Sequence, residues 1–91
     1  MATQRFLHVG FTPQYGKEDE LREVFDANAT DWLRYAPNCW IVYTDLSVDA
    51  WADKMKPHLG EKALLFVCKL DLSERQGLFH KWAWEWLDKE R

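Results

Sequence analysis

The sequence predicts a small α+β domain built on a four-stranded antiparallel sheet, and three observations carry that prediction. Cys39-Trp-Ile-Val-Tyr43 reads as a strand, Ser47 to Met55 as an amphipathic helix, and Ala63 to Lys69 as a second strand. The stretch from Arg5 to Tyr35 follows the same strand, helix, strand order. Between the two halves, Ala36-Pro37-Asn38 has the chemistry of a tight connection, which joins them through an antiparallel hairpin. Strand, helix, strand, strand, helix, strand is the βαββαβ order of a ferredoxin-like sheet.

Each element has its own signal. In Phe6-Leu-His-Val-Gly-Phe11, Leu7, Val9 and Phe11 share one face and Phe6, His8 and Gly10 the other, and the first set is assigned to the helices. Thr12 to Gly16 carries the Pro and Gly of a loop. Glu18 to Ala27 is a helix, with Leu21, Val24 and Phe25 at i, i+3, i+4 and with Asp19 and Glu20 favourable in the first turn; Asn28 ends it. Asp31 to Tyr35 and Cys39 to Tyr43 form the hairpin, Pro37 lying outside any paired interior.

Ser47 is the N-cap of the next helix, Asp49 lies in its first turn, and Val48, Trp51, Ala52 and Met55 form its apolar stripe. Pro57 ends it, because the residue before a proline is pushed out of the α region. In Ala63 to Leu70, Leu64, Phe66, Cys68 and Leu70 alternate with Leu65, Val67 and Lys69. At the end of the chain Phe79, Trp82, Ala83 and Trp86 fit a helical stripe over 78–89, although Trp82, Trp84 and Trp86 also alternate as a strand would; helix is the assignment made.

Ninety-one residues make one domain, 1–91, with a single core. Six Trp, five Phe and three Tyr are a heavy aromatic load, which points to an interface. Under the register above, the face away from the first two helices carries Phe6, His8, Ile41, Tyr43, Leu65 and Val67, and an apolar face of that kind must be covered. The C-terminal helix would cover it in its own chain or in a partner. Phe6, Ile41, Leu65, Val67, Trp82, Trp84 and Trp86 are therefore the expected interface, and a homodimer the expected assembly.

A net charge of −3 with scattered Lys and Arg disfavours nucleic acid as a partner, since such binding draws on phosphate neutralisation. Cys39 and Cys68 lack Cys-x-x-Cys or Cys/His zinc spacing and read as reduced, buried thiols. Met1 to Arg5 lacks the apolar core of a signal peptide and no run reaches the length of a membrane span, so a cytoplasmic location without membrane contact is expected. Neither a cofactor nor a metal is expected.

Trp40-Ile-Val-Tyr-Thr-Asp-Leu-Ser47, Met55-Lys-Pro-His-Leu59 and Lys81-Trp-Ala-Trp-Glu-Trp-Leu87 with Gly77 resemble a family of short bacterial proteins described as SinR-like. That family is similar in fold to the ferredoxin-like CRISPR-associated nuclease subunit and to VapD-type ribonucleases. The likeness runs from Trp32 to Leu87. It implies the same fold, but the nuclease subunits end their first strand on a metal-binding Asp. Here the position is Gly10-Phe11-Thr12, which offers no carboxylate to a hard cation. The nuclease activity of those relatives is therefore not carried over to this chain.

Candidate catalytic residues are few. His8 on the outward face, Tyr43 on the neighbouring strand and Asp45 beyond it could do general acid/base work if they converged, imidazole titrating near neutrality and a carboxylate fixing its tautomer. The plainer account has His8 hydrogen-bonded in an interface and Asp45 helping to cap the following helix. His58 reads as a surface turn residue, and His80 has no acidic partner at ligand spacing. Tyr15-Gly16 lacks the Lys-Ser/Thr of a phosphate loop. The expected function is a non-catalytic, homodimeric interaction or regulatory module; the alternative is a degenerate nuclease relative that binds or cleaves RNA or DNA.

Overall fold

A computed structural model describes residues 3–91. The chain forms β1 (Arg5–Phe11), α1 (Glu18–Asn28), β2 (Asp31–Ala36), β3 (Cys39–Thr44), α2 (Val48–Met55) closed by a 3-10 turn (Lys56–His58), β4 (Leu65–Lys69) and α3 (Lys81–Asp88). The four strands make one sheet in the order β2-β3-β1-β4, with every neighbouring pair antiparallel.

Local chemistry explains the elements. Glu18, Asp19 and Glu20 occupy the first turn of α1, where the helix dipole favours carboxylates. Its last turn closes on Asn28, whose Nδ2 donates to the Val24 carbonyl at 2.7 Å. Gly16 enters the helix at a φ of 80°, a conformation that glycine adopts without steric cost. The Ser47 side chain caps α2 by accepting from the Ala50 N–H at 3.1 Å. The expected hairpin between β2 and β3 is present.

One face of the sheet is covered by α1 and α2. Leu7, Val9, Phe11, Trp40 and Val42 from the strands meet Leu21, Val24, Phe25, Trp51 and Met55 from the helices. Phe25 lies flat on Trp40, with ring centroids 3.8 Å apart and planes 4° from parallel. Within this layer Thr44 is fully buried and uses its whole hydrogen-bonding capacity. Its Oγ1 donates to the Asn28 carbonyl at 3.0 Å and accepts from the Trp51 indole N–H and the Leu46 N–H, both at 3.1 Å. One hydroxyl thus ties the end of α1 to α2 across β3.

Leu65 and Val67 correct the expected register. They pack against this first core, not on the outward face, because Val67 pairs with Val9 and Leu65 with Phe11, both inward residues of β1. Paired residues in an antiparallel ladder share a face. The outward residues of β4 are Phe66 and Cys68, opposite Gly10 and His8.

The opposite face is covered within the same chain. Leu33 and Ile41 from the sheet meet Ala83 and Leu87 of α3, with Phe6, Tyr35, Phe79, Trp84 and Trp86 packed around them. The segment 70–80 is long enough to carry α3 back across the sheet, which is why the dimer interface expected on this face is occupied by the chain's own helix. The buried stripe is Ala83 and Leu87, so Trp82, expected inward, points outward and is 48% exposed. Arg91 pins the far end of α3. Its guanidinium lies 4.3 Å from the Trp86 ring centroid and near those of Phe6 and Tyr43, and it pairs with Asp31 at 3.2 Å. No helix among the described residues is long and apolar enough to cross a membrane.

Leu87→Ala should lower the unfolding free energy by about 2 to 4 kcal/mol, because it opens a cavity under α3. Trp82→Ala should change it by less than about 0.5 kcal/mol. Urea denaturation of the two variants checks this, and equal losses would contradict the placement of α3.

Candidate functional site

The most chemically distinctive point of the molecule lies on the outward face, beneath the segment 70–80 and α3. The hairpin register slips between Arg34 and Ala36, which leaves Tyr35 as the extra residue of a β-bulge. A bulge re-aims the side chain it carries. Tyr35 reaches across β3, and its hydroxyl lies 2.5 Å from Nε2 of His8 on β1. Gly10 makes room for this contact, since a Cβ there would lie 3.0 Å from Cε1 of the His8 ring.

Burial pushes the His8 imidazole below its ordinary value of 6.5. Burial, reinforced by the neighbouring Cys39 and Cys68 thiols, pushes the Tyr35 hydroxyl up to about 12. Both groups are therefore neutral at pH 7. The hydroxyl and Nε2 share one hydrogen bond between neutral groups, its direction set by the His8 tautomer. Cys39 and Cys68 flank the pair from β3 and β4 with β1 between them, so their Cα atoms stand at least about 9 Å apart by strand spacing. They are free thiols and beyond disulfide reach.

Above this pair is a cavity of about 270 Å³. His8, Tyr35 and Ile41 form its floor; Leu70, Leu72 and Phe79 form its wall, Trp84 and Leu87 its roof, and the exposed Leu78 lies at its edge. Arg75 and Gln76 stand at the rim. Arg75 is engaged by Asp88, and Gln76 accepts from the Gly77 N–H at 3.0 Å. The interior is thus apolar and uncharged, with one internally satisfied polar pair.

The residues singled out from sequence fall differently. His8 lies in the site, but its partner is Tyr35 and not Tyr43. Tyr43 pairs with Phe6 and packs against it, 5.0 Å between ring centroids, under Arg91. Asp45 is exposed in the turn beyond β3, so the three do not form one constellation. Among the interface candidates, Phe6, Ile41, Trp84 and Trp86 pack beneath or within α3. His58 is tied to Glu20 at 2.5 Å, and His80 stacks on Trp82 with ring centroids 5.5 Å apart. At the end of β1, Phe11 is buried and the Thr12 hydroxyl accepts from the Leu64 N–H at 2.9 Å, so both serve the fold. Among the described residues no three His, Cys, Asp or Glu side chains are grouped to hold a metal ion.

Tyr35, Gly10 and the leucines of the 70–80 segment were missed in the sequence. No local pattern in the sequence announces the register shift that aims Tyr35 toward β1. Compared with family models, with curated proteins and with solved structures, the chain finds no match in any of the three.

Because the folded chain holds His8 below 6.5 and the unfolded chain does not, the unfolded state takes up this proton first as pH falls. Stability should be fully present above pH 6.5 and decline as pH is lowered through it toward the folded value. His8→Gln should reduce that decline, measured as the dependence of Tm on pH. Gly10→Ala should displace the ring and move the His8 titration, followed by NMR, back toward 6.5.

Proposed function

We propose that this chain is a non-catalytic regulatory module of the ferredoxin-like kind, whose working site is the pocket over His8 and Tyr35 and whose ligand is a small, uncharged, largely apolar molecule. Support for the fold reading comes from the strand and helix order together with the sheet order β2-β3-β1-β4. Kinship with the SinR-like group is part of the same proposal and rests on the residue runs 40–47, 55–59 and 81–87.

The observation that carries the proposal is the cavity itself. At about 270 Å³ it is close to the small end of ligand pockets, and its lining is hydrocarbon and aromatic around one polar pair. A charged ligand would lose its hydration there without gaining a counter-charge, since His8 is neutral and Arg75 is already paired. The same features argue against proton-transfer chemistry. A hydroxyl raised to about 12 is a poor acid at pH 7, and the His8 ring is held by its hydrogen bond to that same hydroxyl.

Titration of the protein with indole, followed by methyl NMR, should give saturable shifts at Ile41, Leu70, Leu72 and Leu87. Leu72→Trp, which fills the pocket from its wall, should abolish them while leaving the remaining spectrum intact. Saturable binding of glucose but not of indole at these methyls, or no saturable shift with either, would refute the proposal.

A further inference from the structure

The sheet has an open edge at β4, and its chemistry differs from that of the covered faces. Leu70 N–H donates to the Phe6 carbonyl at 2.9 Å and Thr12 N–H to the Leu64 carbonyl at 3.0 Å, which fixes the even-numbered residues of this strand as those bonded to β1. By the alternation of an antiparallel ladder, the N–H and C=O groups of Leu65, Val67 and Lys69 point away from the sheet. Among the described residues, no hydrogen bond satisfies them. The same edge carries Leu64, 77% exposed, and Phe66, 66% exposed. On the helix side it opens into a groove of about 450 Å³ between β4 and α2, lined by Val48, Ala52, Leu65 and Val67.

We propose that a second copy of this chain docks antiparallel on β4 about a two-fold axis through Val67, joining the two sheets into one. The surface is self-complementary in that register. Val67 faces Val67 of the second copy and Leu65 faces its Lys69, and these pairs exchange the N–H and C=O groups that each chain leaves unsatisfied. On the outward side Phe66 meets Cys68 of the second copy and Leu64 meets its Leu70, so both exposed apolar side chains are covered.

Lys69 selects the register. Centred on Val67 it lies against Leu65, whereas sliding the axis to residue 69 would set two lysines face to face, a destabilising cross-strand pair. A lysine on an edge strand discourages indiscriminate pairing while leaving this one geometry free of like-charge contact. The inference does not rest on the pocket, although Leu70 belongs both to the pocket wall and to the contact with Leu64 of the second copy, and it moves the self-association surface from the face beneath α3 to the β4 edge.

Sedimentation equilibrium from micromolar to millimolar protein should show the mass rising from 10.9 kDa to twice that value. In hydrogen exchange at the high end, the amides of Leu65, Val67 and Lys69 should be as protected as those of Phe66 and Cys68, and they should lose that protection on dilution. Phe66→Cys supplies a covalent check that perturbs a single exposed site. Phe66 and Cys68 of the second copy form a non-hydrogen-bonded pair with Cα atoms about 4.5 Å apart, within disulfide reach, so mild oxidation should give a reducible covalent dimer. A single-chain mass throughout would overturn the proposal. So would a dimer whose Leu65, Val67 and Lys69 amides stay freely exchanging, or a Phe66→Cys variant that yields no covalent dimer.

Discussion

A sheet that is apolar on both faces cannot be stable with helices on one side only, and most of this structure follows from that constraint. α1 and α2 shield the face bearing Leu7, Val9, Trp40 and Val42. The opposite face, with Leu33 and Ile41, is shielded by α3, which has to be brought back across the sheet by residues 70–80. Ion pairs tie this second layer, Lys89 at the end of α3 reaching Asp31 at 3.4 Å among them. Arg75 joins the connection to Asp88 at the end of α3, and Arg91 joins the chain end to Asp31 at the start of β2. The Arg91 ion pair alone would contribute little at a surface, but this side chain is only 10% exposed and lies over three aromatic rings.

The order of elements was legible because each signal was local. Apolar spacing, the Ser47 cap and the Pro37 turn are all written within a few residues of the structure they specify. What was not legible depends on pairing between strands distant in sequence. β4 has apolar residues at both parities, so alternation alone does not say which set faces the helices; only the match of Val67 with Val9 decides it. Likewise the helical stripe of α3 was offset. Phe79, Trp82, Ala83 and Trp86 are the most hydrophobic choice, yet the buried positions are Ala83 and Leu87, since a small residue is what lets the helix approach the sheet and leaves the large indoles to pack at its flanks.

The site was half legible for the same reason. His8 stands out as a titratable group in an apolar strand, but its partner is supplied by a bulge that no periodicity announces. A regular β2 would carry Tyr35 to a different position over β3. The extra residue turns it toward β1, and Gly10 leaves the space that the imidazole needs. Three departures from regular strand chemistry therefore converge on one point: a bulge, a glycine inside a strand and a half-buried histidine. Each costs some stability alone, and their coincidence is what distinguishes this spot from the rest of the core.

The cavity and the second layer are linked energetically. Its floor belongs to the sheet and its roof to α3, so any ligand that fills it binds only the state in which α3 is docked. Occupancy must then stabilise α3 on the sheet by RT ln(1 + [L]/Kd), and loosening of α3 must weaken the ligand by the same factor. Leu78, on the segment that bounds the cavity, is fully exposed. Under the proposed function, the docked population of α3, with the Trp82 and His80 stacked at its start, would be the output of a site whose input is a small apolar molecule.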